Sequence, residues 1–483
     1  MKRQKPAIPP PKLASGINAK LRSPVKKQHN ATLTAAVALH RQGQLEQAEV
    51  LYQEILQSQP QHLGALHLLA MLAAQRQDAI TAIKLFDRAL AIKPDFTEAL
   101  NNRGNSLLDL QRPAQALESY DRALAIQPNY ALALYNRGNA LCSLRRPVEA
   151  LDSYAGALAI QPNFAEAHWY AGMCHLAMGE FALGWPKYEW RWQSAAYKHN
   201  LRPFRQPLWL GAPSLNNKTI LLHSEQGLGD TLQFCRYARQ VTGLGAKVLL
   251  EVQPCLKALM TGLQGVATVL AKGEELPDFD YHCPLMSLPL AFHTDIDSIP
   301  HAVPYLFAEQ DRILRWRKQF AHKGFMIGIH WQGSTSAIDI GRSFPLTHFQ
   351  NIAKIPNVRL ICLQKNAGAE QLHAQPEGMQ VETPGADFDA GDDAFLDSAA
   401  VMQQLDLIIS SDTAIAHLAG ALGCPVWLAL KQVPDWRWML EGGQSPWYPS
   451  MRLFRQRRNA DWEGVFNEIY TELLKLIKDN SLC

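Results

Sequence analysis

Residue types able to hold a phosphate or move a proton recur at three places in this chain, each just after an apolar run. The first is Ser410-Ser411-Asp412-Thr413-Ala414, with His417 four residues beyond Thr413. It follows residues 405–409, which read as a buried strand, and leads into a helical stretch closed by Gly423. A strand that turns into a helix through small polar residues presents free backbone N–H groups and the positive end of the helix dipole, which suits a diphosphate. Amides near Thr413 and Ala414, with the Thr413 hydroxyl, would hold phosphate oxygens; His417, one helical turn on, would face the same side or serve as a structural histidine. The second place is Gln226-Gly227-Leu228-Gly229-Asp230, after the apolar run 219–223. Ligands of open α/β sheets sit at the carboxyl ends of strands, and a glycine turn there brings backbone close to a substrate. Asp230 is well placed to cap the helix expected from Thr231 to about Gln240. The third is His330-Trp331-Gln332-Gly333, followed by Gly341-Arg342-Ser343-Phe344-Pro345. The planar fork of Arg342 suits phosphate oxygens bidentately.

The elements that must position these residues alternate strand, turn and helix, which implies parallel strands with crossover helices. One set holds strands at 219–223 and 247–252. A second set holds strands at 325–331, 358–363, 405–409 and 425–430, with a helical connector at 311–323 between the sets. A last helix, about 461–478, is expected to return and brace the other half. Asp435-Trp436-Arg437-Trp438 and Trp447-Tyr448-Pro449 combine aromatics and arginine, which suits either stacking on a sugar or base or a packed closing segment.

The three loops together resemble glycosyltransferase family 9, the heptosyltransferase-like enzymes. That resemblance implies a GT-B fold of two Rossmann-like halves: residues 199–310 on the acceptor side and residues 311–483 on the nucleotide-sugar side. It carries the role of general base to Asp230, in a loop with Gln226, Gly227 and Gly229. It carries donor binding to Arg342, Ser343, Asp412, Thr413, Ala414 and His417, with Lys365 as a further cation at the end of its strand. Ala414 stands where family members commonly have glycine. The activity implied is transfer of a sugar from a nucleoside diphosphate sugar to a protein or glycan hydroxyl, with inversion. Fixed donors would offset charge on the leaving diphosphate, and no cluster of Asp, Glu or His has ligand spacing, so neither a metal nor any other cofactor is expected. A nucleotide-sugar epimerase and an inactive interaction scaffold remain open alternatives.

The first third is built differently. Pro60, Pro94, Pro128 and Pro162 recur every 34 residues, as do Tyr52, Phe86, Tyr120, Tyr154 and Tyr188, and the small residues Ala48, Ala82, Ala116 and Ala150. Gly104, Gly138 and Gly172 keep the same period. Period and residue types are those of the tetratricopeptide repeat, a two-helix unit that stacks into an α solenoid. About five repeats fit residues 29–198. In the fifth, residues 185–192 are expected to replace the usual second helix. Such a solenoid offers a groove for a protein partner. Asn102 and Asn136, and likewise Asn105 and Asn139, occupy equivalent positions that could bind a peptide backbone or bond within the repeat.

Composition sets the remaining bounds. A chain of 483 residues exceeds the usual single core, and 47% apolar with 19% charged residues describes an ordinary globular protein. A net charge of +3 gives no argument for nucleic acid. Residues 1–28 are basic and proline-rich and read as a disordered arm, a solubilising tail that could also touch an anionic membrane surface. No apolar run reaches the ~20 residues of a spanning helix, and no secretory signal is evident. The eight cysteines include no C-x-x-C pair, which fits reduced thiols and a cytoplasmic location.

Overall fold

The computed structural model describes residues 24–320, 323–334, 340–391 and 394–480. The chain forms two compact units. One comprises the described residues up to Cys174 together with Lys187–His199; the other comprises His175–Pro186 and the chain from Asn200 onward. Of the basic arm, residues 24–28 lie in the first helix and the remainder lies outside the described residues.

The solenoid consists of paired helices. They are α1 (Pro24–Arg41) and α2 (Leu45–Ser58), α3 (Leu63–Gln75) and α4 (Ala79–Ile92), and α5 (Thr97–Asp109) and α6 (Pro113–Ile126). They continue with α7 (Ala131–Ser143) and α8 (Pro147–Ile160), then α9 (Ala165–Ala177) and α10 (Phe181–Tyr188). Each recurrent proline stands two residues past the end of a second helix, where a missing N–H and a fixed φ stop helix growth. The glycine column has a steric cause. A Cβ on Gly104 would lie 2.5 Å from the Tyr120 ring, and Gly138 meets Tyr154 in the same way. The paired asparagines bond within the array. The Tyr120 hydroxyl donates to Asn105 Oδ1 (2.7 Å) and Tyr154 to Asn139 Oδ1 (2.8 Å). Asn136 donates to Asn101 (2.9 Å), and Asn102 Nδ2 lies 3.2 Å from His67. The fifth repeat departs from the sequence expectation: a second helix does form, but α10 is short, carries Pro186 inside it, and tightens into a 3-10 turn at Glu189–Gln193. Pro186 has no N–H to continue the α-helical ladder.

The second unit contains two all-parallel sheets. In the first, β1 (Thr219–His223), β2 (Lys247–Val252), β3 (Thr268–Ala271) and β4 (Tyr281–Pro284) lie in the order β3-β2-β1-β4. The second contains β5 (Phe325–His330), β6 (Val358–Cys362), β7 (Val381–Glu382), β8 (Leu407–Ser411), β9 (Val426–Leu430) and β10 (Met451–Arg455). Their order is β10-β9-β8-β5-β6-β7. The inner strands are near-continuous apolar runs, as burial on both faces requires. β8 begins at Leu407 rather than Leu405, because Asp406 is used at the strand edge: its carboxylate accepts from the Met326 N–H (2.7 Å).

Two helix expectations are corrected. The helix after β1, α11, runs Leu228–Phe234 and so starts three residues before Thr231. The closing helix, Trp462–Asn480, does not brace the first sheet. Its stripe of Trp462, Phe466, Ile469 and Leu473 enters the core of its own sheet, beside Phe344, Phe349, Ile329 and Phe454. The Phe344 ring lies 4.8 Å from Trp462 and 4.9 Å from Phe466, so the loop carrying Arg342 is anchored by this helix. Among the described residues, no helix is long and apolar enough to cross a membrane.

Candidate functional site

In each sheet the first strand has later strands on both sides, β2 and β4 flanking β1, and β6 and β8 flanking β5. At such a switch point the loops leaving adjacent strands diverge and open a crevice at the carboxyl ends. The loop after β1 leads through Gln226 and Gly227 into α11. In the second sheet His330 and Ser410 are register partners, so the loops after β5 and β8 leave side by side.

The turn into α11 is built around Asp230. Gly227 is the N-cap, and Asp230, in the first turn, accepts the Gly227 N–H on Oδ2 (2.8 Å). It therefore reaches back to the cap from inside the helix instead of standing before it. Oδ1 accepts from Arg437 Nη2. Gln253 fixes the approach to the turn, donating to the Gln226 carbonyl (3.0 Å) and accepting from Thr231 (2.9 Å). A Cβ on Gly229 would lie 2.7 Å from His417 Cδ2, so a glycine here leaves room for that ring.

The matching turn after β8 has Thr413 as N-cap of the helix Ala414–Ala421. Thr413 Oγ1 lies 3.2 Å from His330 Nδ1. Burial lowers His330 to about 3, and the charge of Arg342 adds to the effect. Burial raises the partly buried Asp412; Asp435 adds to this and Arg342 opposes it. Arg342 is thus within electrostatic reach of His330 and Asp412. Ser343 acts on the loop itself, its hydroxyl accepting the Gly333 N–H (3.1 Å). Ala414 is the first helical residue and is partly exposed.

Two expected ligands are engaged elsewhere. Lys365 donates to the Phe388 carbonyl (2.8 Å) and to that of Asp389, so it pins the loop beyond β7. His417 is 5% exposed. Its Nδ1 lies 2.9 Å from the Tyr448 hydroxyl and its ring stacks on Trp438 at 5.2 Å. Burial lowers it to about 3, with Arg437 adding to the effect, so it packs as a neutral ring against Trp438, Tyr448 and Gly229.

The residue that ties the site together, Arg437, carried only a generic stacking role in the sequence reading. Its guanidinium donates to Gln233 Oε1 (2.7 Å), to Asp435 Oδ1 (2.7 Å) and to Asp230. It lies over Trp436 at 4.5 Å. Burial disfavours the Asp435 charge, but Arg437 outweighs it and holds Asp435 below the usual carboxylate range. Arg236, on the 3-10 turn after α11, is likewise buried and donates to the carbonyls of Trp447 (2.7 Å) and Pro300 (3.1 Å). The signal available in the sequence was a charged residue inside an aromatic run, Trp436-Arg437-Trp438, which marks a buried and paired guanidinium. The arrangement offers a fixed carboxylate on the turn into α11, helix-terminal amides and a hydroxyl on the turn after β8, and the cation of Arg342 on the loop after β5.

Residues 33–95 and 101–163 match the tetratricopeptide repeat family. These stretches are tetratricopeptide repeats. Over 322 residues the chain is 25% identical to protein FlbA of Caulobacter vibrioides (strain ATCC 19089 / CIP 103742 / CB 15), covering 62% of this chain and 53% of FlbA. The chain thus spans about half the length of that curated relative, and the match is longer than the repeat array. Among solved structures, MamA is 19% identical with a TM-score of 0.31, covering 34% of this chain and 97% of MamA. PilW, a widely conserved type IV pilus biogenesis factor, is 26% identical with a TM-score of 0.33, covering 35% of this chain and 78% of PilW.

Proposed function

We propose that the two-sheet unit is a GT-B glycosyltransferase that moves a sugar from a nucleoside diphosphate sugar to a hydroxyl acceptor, with inversion, while the repeats recruit a protein acceptor or partner. The observation that supports this best is that the charge of Arg342 acts on Asp412 and His330, beside the Thr413 helix terminus at the switch point of the second sheet. Amides of the first helical turn lack intrahelical partners and, with the Thr413 hydroxyl, provide donors for a diphosphate. Arg342 offsets charge as the diphosphate leaves, a fixed cation that makes a metal unnecessary in this reading. Asp230, 20% exposed at its side chain, takes the acceptor proton. Each of its oxygens has a lone pair beyond those used by Gly227 and Arg437.

Calorimetric titration with a panel of nucleoside diphosphates and their sugars tests this reading. One base should bind, and Arg342→Ala should weaken it about 10- to 100-fold, as loss of a ~1.5–3 kcal/mol charge-assisted contact requires. Absence of binding by every nucleotide, or unchanged affinity in the variant, overturns the donor site. One observation favours an inactive scaffold instead: Asp230 is held on both oxygens before any acceptor arrives. A scaffold would bind protein through the repeats and no nucleotide, so the same titration separates the two.

A further inference from the structure

We propose that Cys142 and Cys174 form an oxidisable thiol pair, which a peroxide converts into a disulfide joining the fourth and fifth repeats. Cys142 lies near the end of α7 and Cys174 near the end of α9, and their sulfurs are 2.9 Å apart. That is less than about 1 Å longer than the ~2.05 Å of a formed bond, so the two sulfurs already stand close to bonding distance. The pair is particular to these two repeats. Thirty-four residues earlier the equivalent positions hold Leu108 and Ala140. Access differs between the partners: Cys142 is partly exposed, whereas Cys174 is buried at 6% exposure. The hydrogen bond with Cys142, together with burial, raises the Cys174 thiol well above its ordinary value.

These differences order the chemistry. The Cys142 thiol gives up its proton and its sulfur attacks a peroxide oxygen; the O–O bond breaks and the departing hydroxide takes up a proton as water, leaving a sulfenic acid. Cys174 sulfur then attacks the Cys142 sulfur, the S–S bond forms, and the sulfenic oxygen leaves as a second water with the Cys174 proton. Two thiols are oxidised by two electrons in all, and one hydrogen peroxide is reduced to two waters. The product ties the last turn of α7 to that of α9 and restrains their separation in the array.

The native chain would be treated with hydrogen peroxide, alkylated in denaturant and digested without reductant. Free thiols should fall from the eight of the sequence to six, and one Cys142–Cys174 linked peptide should appear. Cys174→Ser should halt oxidation at a Cys142 sulfenic acid that dimedone traps. The proposal is overturned if Cys142 stays alkylatable at a dose that oxidises the partly exposed Cys255. It is equally overturned if Cys142 is found joined to any other cysteine, or over-oxidised without the link. The wild-type measurement decides the matter even if the variant folds poorly.

Discussion

Replacing Arg437 with methionine would test whether the buried guanidinium holds the α/β unit together. Methionine keeps an unbranched stem to lie over Trp436 and Phe234 while removing the charge and the donors. Removing one partner of a buried pair costs about 3–5 kcal/mol, because the remaining charge is left uncompensated. Here the stranded groups are Asp230 and Asp435, with side chains 20% and 13% exposed, so water reaches them in part. We therefore expect the lower end, about 3 kcal/mol. The sign of its pH dependence follows from Asp435, whose pKa is depressed in the folded protein. A depressed carboxylate contributes stability above its unfolded pKa of ~3.9 and loses it as pH falls through the folded value. The deficit of Arg437→Met should therefore be largest at neutral pH and shrink below about pH 4. Urea unfolding followed by tryptophan fluorescence and by helical circular dichroism, compared at both pH values, gives the numbers and separates the two units. Adding Asp230→Asn should recover part of the loss, since an amide needs no counter-charge. A deficit under about 1 kcal/mol at neutral pH, or strict additivity of the two substitutions, refutes the argument.

Two other outcomes follow from the same region. Gly229→Ala should destabilise the α/β unit by about 1–3 kcal/mol, because the added methyl meets the His417 ring, itself confined by Trp438 and Tyr448; His417→Ala in the same chain should relieve part of that cost, both read from urea midpoints. On acidification from about pH 6.5 toward 3, unfolded imidazoles take up protons while folded His330 and His417 do not, so stability should fall by up to ~1.4 kcal/mol per pH unit for each ring; His417→Gln should flatten that slope, and an unchanged slope would count against burial as the cause.

The sequence was most legible where local rules repeat. Four residue columns at one period identified the paired helices, since each proline, glycine and tyrosine acts on its own repeat. The inner strands were equally readable as apolar runs between turns. The candidate site was legible only in part. Arg342, Asp412 and Thr413 could be singled out because loops at strand ends are local features. Arg437 was missed as the partner of Asp230 because 207 residues separate them and only the tertiary fold joins them. His417 and Gly229 were singled out from their own loops, but their close packing on one another is not revealed by spacing along one helix. The closing helix had an apolar stripe that could have served either sheet; Phe344 and Phe349 decide which. Cys142 and Cys174 escaped a search for short cysteine spacings because stacked repeats bring distant residues together.

The register of the second sheet also bears on how the chain is made. Ile327 on β5 pairs with Leu407 on β8, eighty residues later, whereas each helical repeat meets its first partner within its own 34 residues. During synthesis the solenoid can close pair by pair as it emerges, but the β8-facing edge of β5 waits for its neighbour. At ~5–20 residues per second that wait lasts about 4–16 s. An unpaired apolar strand edge is a template for joining another chain, so during that wait the β5 edge is exposed to misassembly.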